Sequence, residues 1–162
     1  MTILITGAKG QLGNELCKIV GGGVSEREKL PLFYTQSRII AVDVDELDIT
    51  SSEAVDSFFE KHKPNLVFNC AAMTNVDGCE GDEVVAYIVN AVGPKNLAVA
   101  CERHAARLMH ISTDYVFDGL GTSPYVETDE PAPNTAYGRS KLAGEQFVLD
   151  SCRNSCICRT AW

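Results

Sequence analysis

A short, mostly apolar run near the N-terminus, Ile3-Leu4-Ile5-Thr6, passes directly into Gly7-Ala8-Lys9-Gly10-Gln11-Leu12-Gly13 and then Asn14-Glu15-Leu16. That order predicts a buried strand, a glycine-punctuated turn and the opening of a helix. Gly7 lets the chain turn sharply, Gly10 lets backbone N–H groups approach a phosphate, and Gly13 lets the helix sit close to the strand. The helix start offers unpaired N–H donors and a partial positive charge, which suits a pyrophosphate. The spacing is GxxGxxG, not GxGxxG, and an ordinary strand–helix turn could carry it. Its place directly after an N-terminal strand points to a dinucleotide site.

The rest of the chain repeats the alternation. Leu12, Leu16, Ile19 and Val20 define one face of a helix that Gly21-Gly22-Gly23 should end. An insertion spans 21–37; within it, residues 24–37 show no period and read as a surface loop. Arg38–Asp43 is expected to be a second buried strand ending in a carboxylate. An acid there hydrogen-bonds the adenosine ribose and disfavours a 2′-phosphate. Nothing basic follows Asp43 immediately, so NAD is tolerated. Ser51 or Ser52 should cap a helix carrying Val55, Phe58 and Phe59, and Leu66–Cys70 should form the third strand. Ala71 and Ala72 follow, small residues where a cofactor could lie against the backbone.

Glu83–Arg103 reads as one long helix with Val84, Ile88, Val92, Leu97 and Val99 inward, kinked at Pro94. Arg107–Ser112 is the fourth strand, Tyr137–Leu149 a helix, and Ser155–Thr160 the fifth strand. Strands alternating with helices call for a parallel sheet covered on both faces. The fold class expected is therefore α/β, doubly wound, as a single domain over 1–162.

Charge narrows the partners. Fourteen Lys and Arg against 22 Asp and Glu give a net charge of −8, which argues against binding nucleic acid or an anionic membrane. No apolar run looks long enough to span a membrane, and residues 1–20 lack the layout of a signal peptide. Seven cysteines, an odd number, fit a reducing, cytoplasmic setting. Cys156 and Cys158 share one side of a strand, but no His stands near and Cys152 does not complete a zinc spacing. They read as packing residues, and no metal is expected. His62, His104 and His110 are isolated and read as structural.

Two stretches carry reactive groups. Ser112-Thr113-Asp114-Tyr115-Val116-Phe117-Asp118-Gly119 lies at the C-terminal end of the fourth strand, the edge where open α/β sheets bind ligands. Tyr137 and Lys141 stand four apart on one helical face. A Tyr has a pKa of about 10, and bringing it to about 7 takes roughly 4 kcal/mol, which a neighbouring ammonium could supply. Alone, such a pair is commonly a surface pair. The glycine triplet, strand-end acid, strand-end Ser/Thr and YxxxK together converge on one sheet edge.

With these residues in order, the chain resembles the extended short-chain dehydrogenases/reductases and, more narrowly, the dTDP-4-dehydrorhamnose reductase family. The carrying stretches are GAKGQLGNEL at 7–16, DVDELDIT at 43–50, NCAAMTNVDGCE at 69–80, STDYVFDG at 112–119 and YGRSKLAGEQ at 137–146. The resemblance implies an NADP- or NAD-dependent reductase of a 4-keto-deoxyhexose nucleotide. Tyr137 would protonate the sugar C4 oxygen, and Lys141 would hold the nicotinamide ribose and lower the Tyr137 pKa. Thr113 would hydrogen-bond the reacting carbonyl, with Asp114, Tyr115 and Trp162 shaping the sugar pocket.

By the same resemblance, Gly7, Gly10, Gln11, Leu12 and Gly13 would wrap the pyrophosphate. Asp43, Asp48 and Ile49 would line the adenosine, and Ala71, Ala72 and Thr74 the ribose, with Asn90 backing the site. The partners implied are the nucleotide sugar and, in a homodimer, a second copy of the chain. Family members continue past Arg159-Thr160-Ala161-Trp162 with a substrate-binding lobe, so this chain is expected to be the cofactor half without that lobe. Two other readings stay open: a non-catalytic regulator resembling the methionine adenosyltransferase regulatory subunit, and a nucleotide-sugar epimerase or dehydratase.

Overall fold

In a computed structural model, which describes residues 1–23, 25 and 28–161, five strands form one fully parallel sheet. They are β1 (Thr2–Thr6), β2 (Arg38–Val42), β3 (Leu66–Asn69), β4 (Arg107–Thr113) and β5 (Ser155–Thr160), in the order β2-β1-β3-β4-β5. The helices are α1 (Gln11–Gly22), α2 (Leu32–Thr35), α3 (Ser52–His62), α4 (Val76–Gly81), α5 (Glu83–Tyr87), α6 (Gly93–Arg103) and α7 (Ala136–Ser151). Ile3, Ile5 and Val20 pack with Leu16, Tyr34 and Ile39, so α1 and α2 cover one face of the sheet. Leu4, Val67 and Leu108 pack with Val55, Phe59, Leu97 and Val148, so α3, α6 and α7 cover the other. The expected doubly wound α/β fold is present. Successive strand residues alternate between two helix layers, which is why the central strands are apolar on both faces.

Strand order reverses between β1 and β3, since β2 lies outside β1 while β3, β4 and β5 run the other way. A crevice opens at such a switch point, beyond the carboxyl ends of the strands. The loops after β1, β2, β3 and β4 all reach it.

Several local expectations change. β2 is an edge strand with Arg38 and Ala41 exposed, so it is not buried as its composition suggested. Gly21 and Gly22 stay helical, and Gly23, at φ +71°, ends α1 in the left-handed region. The stretch 24–37 holds the short helix α2, with Leu32 and Phe33 exposed. Cys156 is exposed and not packed; all seven cysteines are free thiols.

The largest change is in Glu83–Arg103. Residues Ile88–Val92 form a π turn between α5 and α6. Pro94 has no N–H for the Asn90 carbonyl four residues back, and the helix widens there. Val84, Ile88 and Val99 face solvent, Leu97 is buried as expected, and the rest of the inward side is Ala86, Asn90, Ala91, Pro94, Ala98 and Cys101. By length and composition this 21-residue run could cross a membrane, against the expectation that no such run exists. Half of its most apolar window is buried in the fold, and its α6 part packs on α3, α7 and β4.

Candidate functional site

A cleft of about 890 Å³ opens at the switch point. Its floor is the glycine turn. Gly7 has φ +66°, and a Cβ there would lie 2.6 Å from the Ala71 nitrogen after β3. A Cβ on Gly13 would lie 2.2 Å from the Gly7 carbonyl oxygen, so α1 rests directly on the turn. Gly10 caps α1, and its own N–H is taken by the Gly7 carbonyl at 3.1 Å. Gln11 and Leu12 open the helix toward the cleft. The first turn of α1 thus presents its N–H groups with no side chain in the way, a cradle that suits a pyrophosphate.

Asp43 follows β2 at one end of the cleft. Its Oδ2 accepts the Lys9 backbone N–H at 3.0 Å and its Oδ1 the Val44 N–H at 2.9 Å, so the carboxylate braces the glycine turn. The Lys9 ammonium pairs with Asp45 at 2.5 Å on the same rim. A basic group therefore does stand beside Asp43. It comes from the glycine turn, 34 positions away, and local spacing after Asp43 could not reveal it. Asp48 and Ile49 line this end, with Asp48 Oδ1 accepting from the Thr50 N–H and hydroxyl. Those two bonds hold the Asp48 carboxyl below its usual value.

Ala71, Ala72 and Thr74 form the wall after β3. Asn90 does not line the cleft. It is fully buried, its Oδ1 accepting the Met73 N–H at 2.8 Å and its Nδ2 donating to the Met73 carbonyl and the Ser140 hydroxyl. It fastens the wall from behind through Met73 and Ser140. Trp162, expected at the sugar pocket, lies outside the described residues.

The other end of the cleft gathers the reactive groups. Thr135 caps α7 through the Gly138 N–H at 3.0 Å, which sets Tyr137 in the first helical turn. The Tyr137 ring meets Tyr115 edge-to-face at 5.6 Å, and its phenol shares the cleft with the Thr113 side chain. Thr113 Oγ1 donates to Asp114 at 3.1 Å and accepts the Tyr115 N–H at 3.2 Å. Ser112, buried beside it, also lines the cleft, and its hydroxyl has no partner among the described residues. Thr113, Asp114, Tyr115, Tyr137 and Lys141 thus converge as the sequence suggested.

Their electrostatics differ from the expectation. Burial pushes the Tyr137 phenol above its ordinary value; the nearby Thr113 hydroxyl opposes this, and Cys79, Asp114 and Tyr115 reinforce it. Lys141 is almost entirely buried at the wall of the cleft, and burial brings its pKa down to about 8 against the opposing pull of Glu145 and Cys70. Its Nζ donates to the Ile111 carbonyl at 2.6 Å and stands 3.4 Å from His110. On balance the chain's own groups therefore raise the Tyr137 pKa.

A stability signature follows. Between pH 8 and 9 the unfolded chain keeps the Lys141 proton while the folded chain gives it up, so the Lys141 contribution to stability rises with pH, by about 1 kcal/mol. Over the same range buried thiols such as Cys70 and Cys101 ionise first in the unfolded chain and pull stability the other way. Denaturant unfolding at pH 8 and pH 9 is expected to show Lys141→Met changing less favourably than the wild-type chain across that interval, by about 1 kcal/mol.

The fold and the cleft define a doubly wound domain of the dinucleotide-binding type. Residues 1–162 match the family model described as the RmlD substrate binding domain, and the chain belongs to that family. A dTDP-4-dehydrorhamnose reductase of Mycobacterium tuberculosis is 46% identical over 164 residues, covering 99% of this chain and 49% of that protein. A crystal structure of a dTDP-4-dehydrorhamnose reductase from Clostridium acetobutylicum matches with a TM-score of 0.91 and 48% identity, over 100% of this chain and 54% of that one. One from Bacillus anthracis, in complex with NADP, has a TM-score of 0.86 and 38% identity, over 99% of this chain and 53% of that one. The chain spans about half the length of the relatives it matches.

Proposed function

We propose that this chain is the cofactor-binding and proton-donating half of an NAD(P)H-dependent reductase of a dTDP-4-keto-deoxyhexose. The observation that carries the reading is the convergence of Thr113, Tyr137 and Lys141 in the same cleft as an open glycine turn. The match to reductases of that sugar nucleotide, one of them holding NADP, supports it. When bound, the reduced nicotinamide supplies hydride. Gly7, Gly10, Gln11, Leu12 and Gly13 hold the pyrophosphate, and Asp43, Asp48 and Ile49 flank the adenosine. Ala71, Ala72 and Thr74 face the ribose, which Lys141 hydrogen-bonds. Thr113 orients the sugar carbonyl, and Tyr137 delivers the proton to its oxygen. A phenol held protonated by burial is suited to that direction of transfer.

Asp114 and Tyr115 contact the sugar, and the rest of the nucleotide sugar is held by sequence of the family outside residues 1–162. The seven free thiols accord with a reducing cytoplasm. Fluorescence titration should show saturable NADPH and NADH binding by the chain, with negligible reduction of a dTDP-4-keto-6-deoxyhexose by these residues alone. Lys9→Ala should weaken NADPH severalfold more than NADH, because the Lys9 ammonium on the Asp43 rim can exchange Asp45 for a 2′-phosphate. Absence of saturable binding of either cofactor would sink the reading.

A further inference from the structure

Behind the cleft runs a line of buried polar side chains to which the reading above gives no role. Thr6 Oγ1 donates to Asn69 Oδ1 at 2.7 Å, and the Ala71 backbone N–H donates to the same oxygen at 3.2 Å. Asn69 Nδ2 lies 3.0 Å from His110 Nδ1. His110 Nε2 lies 3.4 Å from Lys141 Nζ, which itself donates to the Ile111 carbonyl. Asn69 and His110 are fully buried, and Thr6 and Lys141 nearly so, so the protein's own donors and acceptors decide the pairing.

The direction of the line follows from one group that has no choice. A backbone N–H can only donate, so the Asn69 oxygen faces Ala71 and its amide nitrogen faces His110. Nδ1 is then the acceptor. A neutral imidazole must carry its proton on Nε2, on the side of Lys141. An ammonium there would set donor against donor. A neutral amine accepts the Nε2 proton with its lone pair and still donates to Ile111.

Resting on the reading of Lys141 as the ribose-holding lysine, we propose that His110 is its positioning residue. The Ala71–Asn69–His110 line favours the neutral amine of Lys141, and the neutral fraction takes up a proton from the buffer when the cofactor hydroxyls draw Nζ away from His110. The surroundings agree. Burial holds the His110 imidazole well below its ordinary value and so neutral. On α7, Tyr137 stays protonated and Glu145 is paired with Arg159 of β5 at 2.6 Å. Cys70 after β3 is pushed up to about 11 and remains a neutral thiol.

Nitrogen-15 NMR of histidine-labelled chain at pH 8 reads the tautomer directly, with His110 assigned by its loss in His110→Gln. The Nε2–H form is expected. Calorimetric titration with NADPH at pH 8, in two buffers of different ionisation enthalpy, should show uptake of about half a proton per cofactor bound, given a Lys141 pKa of about 8. His110→Gln should reduce that uptake, because its carbonyl can accept from an ammonium already present. An Nδ1–H tautomer, or uptake that the variant leaves unchanged, overturns the proposal. Should the variant not fold, the wild-type tautomer and uptake still decide. NADPH binding without uptake overturns this proposal alone, whereas no NADPH binding overturns the cofactor reading and the proton uptake with it.

Discussion

Tyr137→Phe, placed in a protein of the family's full length that carries this chain, is expected to lower reduction of a 4-keto sugar nucleotide by roughly 10²–10⁴-fold, the usual worth of a general acid. Cofactor affinity should stay near its starting value. The phenol shares the reacting end of the cleft with Thr113, while the glycine turn and the Asp43 brace lie at the other. Removing one oxygen from a ring that packs on Tyr115 opens little space, so the fold should persist. Rapid-mix kinetics with saturating NADPH would separate the chemical step from binding. A variant that keeps most of its rate would move the proton donor elsewhere, with Asp114 the nearest acid to test.

The second large effect lies at Gly13. Any side chain there starts with a Cβ 2.2 Å from the Gly7 carbonyl oxygen and 3.0 Å from the Ala8 Cα, both backbone atoms that cannot step aside singly. Gly13→Val is therefore expected to push α1 off the turn, destabilising the chain by about 3 kcal/mol and abolishing detectable NADPH binding. Gly22→Val is the contrast. A Cβ there meets nothing within 4 Å, so only the helix propensity of valine is felt. Thermal unfolding and NADPH titration of both variants would distinguish a packing constraint at Gly13 from a general intolerance of branched residues in α1.

Elements of this fold were legible wherever a local pattern carried the information. The strand ends at β4 and β5 came within one residue of observation, because apolar runs bounded by polar turns leave few alternatives. The helix over Glu83–Arg103 was found but its face was misread. The apolar side chains of Val84, Ile88 and Val99 pointed to an inward face, whereas the buried side is the one that carries Asn90 to its bonds with Met73 and Ser140. β2 was read as buried because its composition matches a central strand, whereas exposure depends on its place at the sheet edge.

The site divides in the same way. The residues that meet in the cleft are the ones their order along the chain suggested, because each sits at the carboxyl end of a parallel strand or the start of the helix that follows. Fold topology alone brings such ends together. What only the tertiary structure decided is the chemistry between them. Lys9 reaches Asp43 across 34 positions, Asn69 meets His110 across 41, and His110 meets Lys141 across 31. Burial raises Tyr137 and lowers Lys141, the opposite of what the tyrosine's neighbour four residues on implied. Residue type and spacing name the groups that can transfer a proton, but desolvation and long-range pairing set which of them holds it.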